Sequence, residues 1–168
     1  SKRDNQIQKK VFVINNMFKE PTPEKSPAQI KELQKFTPED LEWFRNLEGN
    51  DGWVATDFKF CKNPQYFVVY GENNEKLGGV GVYDTEDDQN ITHTVVASEF
   101  RGQGLASKFK LEIMEELGLD YFIGTVDLDN IASVKSIEKM PGIRRVSDEA
   151  YEKEFHKAKF RYDRPEND

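Results

Sequence analysis

The chain has 168 residues and a formal net charge of −7, from 31 acidic against 24 basic side chains, a length that suits one domain burying roughly 70% of its unfolded surface. The acidic balance argues against a nucleic-acid backbone as partner and is compatible with cationic or amine ligands. A single cysteine, Cys61, excludes an internal disulfide framework and fits a reducing, cytoplasmic setting; two histidines are too few for a structural zinc site, so no metal is expected, and no apolar run is long enough to cross a membrane.

Residues 1–10 are polar, carry no apolar signal core and are expected to be disordered. Residues 11–14 (Val-Phe-Val-Ile) suit a first strand. Pro21, Pro23 and Pro27 mark a loop, and helical spacing is read over residues 28–36. Thr37, Pro38 and Asp40 form a helix start, with Thr37 as N-cap, and Leu41, Phe44 and Leu47 follow on one face. Residues 49–52 (Gly-Asn-Asp-Gly) end that helix. An irregular aromatic stretch holds Trp53, Phe58 and Phe60.

Residues 65–70 and 77–83 read as a hairpin pair turning over residues 72–75. An acidic turn follows, with Asp84, Glu86, Asp87 and Asp88. Residues 91–96 form a strand, 103–117 a helix, 121–126 a strand and 130–140 a helix. Residues 142–146 and 155–162 read as two last strands joined by an acidic link, and the tail 164–168 is expected to be disordered. Hairpin-linked strands pair antiparallel and helix-linked neighbours parallel, so the sheet is mixed.

The most informative stretch joins the 91–96 strand to the next helix: Val95, Val96, then Arg101, Gly102, Gln103, Gly104, Leu105, Ala106 and Ser107. Two glycines allow close backbone approach to a bound group. The helix start beyond them offers unpaired N–H groups and the positive end of the helix dipole, an anion site to which Arg101 adds charge. Arg101-x-x-Gly104-x-Ala106, with Val96 five residues before the arginine, resembles the Q/R-x-x-G-x-G/A motif of the GNAT superfamily of N-acetyltransferases.

Further on, Asp129 or Asn130 can cap the helix that starts there. The resemblance gives this stretch a second meaning: Asn130, Ser133 and Glu138-Lys139-Met140 fit a family pattern whose Asn and helix start lie near the pantetheine and the adenosine phosphate. The chain departs from the pattern twice. The family tyrosine, a general acid toward the leaving thiolate, falls on Ile137, and Pro141-Gly142-Ile143 is one residue longer than the family's Gly-Phe.

The resemblance covers residues 11–162 and implies an α/β (α+β) fold: a GNAT-like mixed, mostly antiparallel sheet of about seven strands flanked by about four helices, in a single domain over 1–168. It implies an acyltransferase moving an acetyl group from acetyl-CoA to a primary amine by direct attack in a ternary complex. The expected cofactor-binding residues are Val95, Val96, Arg101, Gly102, Gln103, Gly104, Leu105, Ala106, Ser107, Asn130 and Ser133. The family's first donor to the acyl carbonyl is a backbone N–H at the positions of Val95 and Val96, so Val96 is a catalytic candidate.

His93, whose imidazole titrates in the useful range, is the candidate base. Strand alternation puts it with Ile91 on the core side unless a bulge reverses the strand. A water-mediated route to Glu72, Asp87 or Glu99 is the other option. Trp53, Phe58, Phe60 and Phe155 line an acceptor slot or belong to the core. A small-molecule amine is the expected partner, with neither nucleic acid nor membrane; a homodimer is left open. Acetylation of a protein lysine or N-terminus, or acyl-CoA binding without catalysis, are the alternatives.

Overall fold

The computed structural model describes residues 27–47 and 61–166, with residues 3 and 6 in helical conformation. The strand expected at 11–14, the turn at 49–52 and the aromatic residues Trp53, Phe58 and Phe60 lie outside the described residues. Over 27–47 and 61–166 the order is β1 (Ile30–Lys35), α1 (Pro38–Arg45), β2 (Lys62–Gly71), β3 (Lys76–Asp84), β4 (Ile91–Val96), α2 (Leu105–Leu117), β5 (Tyr121–Asp127), α3 (Ile131–Glu138), β6 (Arg144–Arg145), α4 (Glu149–Phe155) and β7 (Lys157–Asp163). A short 3-10 turn, Ser98–Phe100, precedes α2.

The seven strands form one sheet in the order β1-β2-β3-β4-β5-β7-β6. Among the described residues β4 and β5 are the parallel pair, joined through α2, and the other pairs are antiparallel. This is the mixed, mostly antiparallel sheet with four helices that the sequence implies.

Local chemistry accounts for several of these elements. Thr37 and Asp40 form a capping box at α1: Asp40 N–H donates to Thr37 Oγ1 at 3.2 Å and Thr37 N–H to Asp40 Oδ2 at 2.9 Å. Lys76 Nζ, at 3.0 Å from Asp40 Oδ1, completes the buried carboxylate's partners. Phe44 of α1 is fully buried, with its ring against Gly79 of β3. On the opposite face Leu105, Phe109 and Ile113 of α2 pack on Phe67, Val69, Val80 and Val82. Ile137 of α3 packs on Ala158 and Phe160 of β7.

Five readings are corrected. Residues 30–35 are an edge strand, not part of a helix over 28–36, because they pair with β2 from Ile30↔Gly71 to Lys35↔Phe67. The acidic link is helix α4, capped by Asp148, which accepts from Tyr151 N–H at 2.8 Å. Phe155 ends that helix, and β7 starts at Lys157 after His156 turns through a left-handed conformation. Strand β6 is two residues, shorter than the strand expected over 142–146. Arg164, placed by sequence in a disordered tail, is held by Glu115 Oε1 at 2.5 Å and the Leu119 carbonyl at 3.1 Å. No helix of the described residues is long and apolar enough to cross a membrane.

Candidate active site

The site is a split in the sheet. Pairing between β4 and β5 runs over Ile91↔Ile123 and Thr92↔Gly124 and stops there, although β4 continues to Val96 and β5 to Asp127. Ala97 N–H donates to the Leu77 carbonyl on the β3 side at 2.8 Å, and the Asn90 carbonyl accepts from Ile123 N–H on the β5 side at 2.9 Å. The β3 register runs between them without a shift. Neighbouring residues of a strand turn their backbone groups to opposite sides. The N–H and C=O of Val95 therefore face β3, and those of Thr94 and Val96 face the split.

At the far end of the split stands the glycine turn. Gly102 and Gly104 have φ of 81° and 73°, and a Cβ on either would meet nothing within 4 Å, so the turn is open on its outer side. Gly104 is the N-cap of α2 and gives it no side-chain cap, and the first turn holds no acidic residue. The N–H groups of Leu105, Ala106 and Ser107 are thus arranged for an anion. Arg101 Nε donates to the Val96 carbonyl at 3.1 Å. These features fit a phosphate-bearing ligand at this turn.

Three cavities share lining residues and form one cleft. The outer one, of 520 Å³, lies between Val96, Arg101, Gly102, Gly104 and Ala106 on one side and Asn130, Ser133 and Ser136 on the other. The inner one, of 350 Å³, shares Thr94, Ala106, Asn130, Ser133 and Ser136 and adds Thr92, His93, Ser107, Lys110, Ile137 and Lys157. The third, of 660 Å³, shares Thr125 and Lys157 with the inner one and is walled by Tyr83, the acidic turn from Thr85 to Asp88, Tyr151 and Phe155.

Ten of the eleven expected cofactor-binding residues line this cleft: Val95, Val96, Arg101, Gly102, Gly104, Leu105, Ala106, Ser107, Asn130 and Ser133. Val95 does so with its backbone turned to β3 and its side chain packed with Phe44. Gln103 is engaged elsewhere: its Oε1 accepts from Ala28 N–H at 2.8 Å, tying the turn to the lead-in of β1. Asn130 is the N-cap of α3, accepting from Ser133 N–H at 3.1 Å.

His93 lines the inner cavity. With no register shift on β4, its side chain shares a face with Ile91 and Val95, so the bulge that would turn it over is not there. Its Nε2 lies 2.6 Å from Tyr83 Oη, and the two rings stack at 5.1 Å. Burial pushes the imidazole down to about 4, with the charges of Lys110 and Lys157 adding to the effect. Burial likewise raises the Tyr83 phenol to about 12. His93 is therefore neutral throughout the physiological range.

The sequence reading missed Lys110, Thr94, Ser136 and Lys157. Lys110 is the most unusual, being buried on α2 with its ammonium pushed down to about 8 by desolvation. Its position, four residues from both Ala106 and Met114, puts a lysine on the helix's apolar stripe, and that was the available signal. Elsewhere, Asp127, Asp129 and His156 bring ligand atoms within 4.8 Å of one another. All three are exposed, and the His156–Asp129 pair at 2.9 Å accounts for the grouping.

Residues 24–141 match the sequence model of the Acetyltransferase (GNAT) family. A comparison with curated proteins finds no match. Among solved structures, a spermidine N-acetyltransferase SpeG chimera from Vibrio cholerae and hSSAT superposes with a TM-score of 0.59 at 15% identity, covering 82% of this chain and 96% of that one. Nourseothricin acetyltransferase gives 0.54 at 17%, covering 83% and 100%. A Bacillus subtilis acetyltransferase in complex with CoA gives 0.54 at 14%, covering 82% and 99%. At such identities the superpositions speak for the fold, and the family match speaks for the chemistry: this chain belongs to the GNAT family and is an acyltransferase.

Proposed function

We propose that this protein acetylates a primary amine of a small molecule, using acetyl-CoA, by direct attack while both substrates are bound. The observation that carries the reading is the split between β4 and β5, which joins the open glycine turn to a cavity walled by acidic and aromatic side chains. Acetyl-CoA supplies an activated acyl carbon when bound. Arg101 and the N–H groups of residues 102–107 would hold its pyrophosphate, with Asn130 and Ser133 on the facing helix.

The outward N–H of Val96 is the assigned donor to the acyl carbonyl, fixed in place by the β3 ladder before any charge develops. His93 is the assigned acceptor for the amine's proton. Held to about 4, it is a weak base, so the acceptor must arrive neutral. An alkyl ammonium titrates near 10.4, so the rate should rise with pH in the neutral range.

The 660 Å³ cavity is the assigned acceptor site. Glu86 and Asp87 border it with the rings of Tyr151 and Phe155, a combination that suits an amine on an apolar body. A cleft of this size favours a small acceptor over a folded protein surface. The lone Cys61 suits a cytoplasmic setting. Thiol release from acetyl-CoA, measured against a panel of small amines and short peptides, tests the reading. Release with a small amine supports it; release with peptides alone, or with no acceptor, contradicts it.

A further inference from the structure

The inner cavity contains a cation that the chemistry above leaves unused. Lys110 is 8% exposed and sits on α2 among apolar side chains. Its hydrogen bond is to Thr94 Oγ1, at 3.4 Å, which is long for a charged donor. Among the described residues it makes no ion pair. The other titratable groups lining this cavity are His93 on β4, Asp127 at the end of β5 and Lys157 on β7. Asp127 is exposed and its Oδ1 already accepts from Asp129 N–H.

The end of Lys110 lies beside Gly124, the last β5 residue paired with β4. A Cβ at Gly124 would lie 3.6 Å from Lys110 Cε and 3.4 Å from Ile137 Cδ1. These are ordinary van der Waals distances, and they place the end of Lys110 over Gly124 on the floor of the cleft beside Ile137, which offers no proton.

A buried ammonium with no anion beside it is costly, and an anion arriving there removes much of the cost. Acyl transfer from a thioester creates one such anion, the departing thiolate. We propose that Lys110 is the proton donor to that thiolate, a reading that rests on acetyl-CoA occupying the cleft. As the acceptor nitrogen bonds to the acetyl carbon, the carbon–sulfur bond breaks and its electron pair passes to sulfur. The Lys110 ammonium gives sulfur one proton, leaving a neutral amine and free thiol. The new amide nitrogen sheds its extra proton through His93 to solvent, and Lys110 regains one from solvent as the thiol leaves. A thiol like that of cysteine titrates near 8.5, close to the lysine's value of about 8, so the transfer is nearly balanced in free energy.

The test compares CoA with desulfo-CoA, which lacks the sulfur, by calorimetry at about pH 8, where both the ammonium and the thiolate are populated. The wild type should bind CoA about tenfold more tightly. Lys110→Met should lose that preference and still bind desulfo-CoA. Equal affinities in the wild type, or a preference that survives in Lys110→Met, would overturn the proposal. A measurement on the wild type alone guards against a misfolded variant: thiolate absorbance should show bound CoA titrating at least one unit below free CoA, and an unshifted or raised value overturns the assignment. If desulfo-CoA and CoA both fail to bind, the cleft assignment itself falls and takes this proposal with it.

Discussion

Arg101 Nε donates to the Val96 carbonyl at 3.1 Å, which clamps the glycine turn to the end of the strand whose backbone faces the split. The contact is exposed, so its loss costs little stability. The guanidinium's charge and fork are suited to phosphate oxygens. Arg101→Ala should weaken acetyl-CoA binding by about 10–100-fold, the range for a charge-assisted contact, with a nearly unchanged melting temperature. Calorimetry and thermal unfolding on the same samples check both halves.

Asn130 combines two duties that substitution can separate. Its side chain caps α3, and it lines both the outer and inner cavities. Asp is an equally good N-cap, so Asn130→Asp should keep stability within a few tenths of a kcal/mol. Its negative charge should weaken binding of the polyanionic cofactor. Asn130→Ala should instead cost about 1 kcal/mol in denaturant unfolding.

The stability of the fold should depend on acid through His93. Its folded value of about 4 lies below the ordinary 6.5, so between these pH values the unfolded chain binds a proton that the folded one refuses. The contribution is fully present above about pH 6.5 and is lost as pH falls toward 4, amounting to about 3 kcal/mol. Denaturant midpoints across this window should fall steeply for the wild type and less so for His93→Gln.

Gly79 is where the sheet makes room for Phe44. A Cβ there would lie 2.3 Å from Phe44 Cε2, a ring that is fully buried. Gly79→Ala should destabilise the protein by about 1–3 kcal/mol through overpacking. Urea unfolding measures this directly.

What the sequence disclosed follows from how local each signal is. The capping box of Thr37 and Asp40 and the glycine turn before α2 are written in a few adjacent residues, and both were legible. Strand β1 reads as a helix because its pattern imitates one. A register shift between Ile30 and Glu32 lets Ile30 and Leu33, three residues apart, pack against the same core. Its pairing with β2 spans more than thirty residues, and no local rule reports it. Helix α4 reads as an acidic link in the sequence, although Asp148 is a legible N-cap. The inner cavity was hidden because Lys110, Thr94 and Ile137 meet only when α2, β4 and α3 converge on the split.

The central claim is that acetyl-CoA binds at the turn from Arg101 to Ser107. Gly104 caps α2 at φ 73° with open space beyond it. A glutamate there would adopt a disfavoured left-handed conformation, at about 1–2 kcal/mol, and would set a carboxylate where the phosphates belong. Calorimetric titration of acetyl-CoA into the wild type and into Gly104→Glu, with folding confirmed by circular dichroism, tests the claim most directly. Saturable binding to the wild type and none to the variant is the predicted result; equal affinity for both would contradict it.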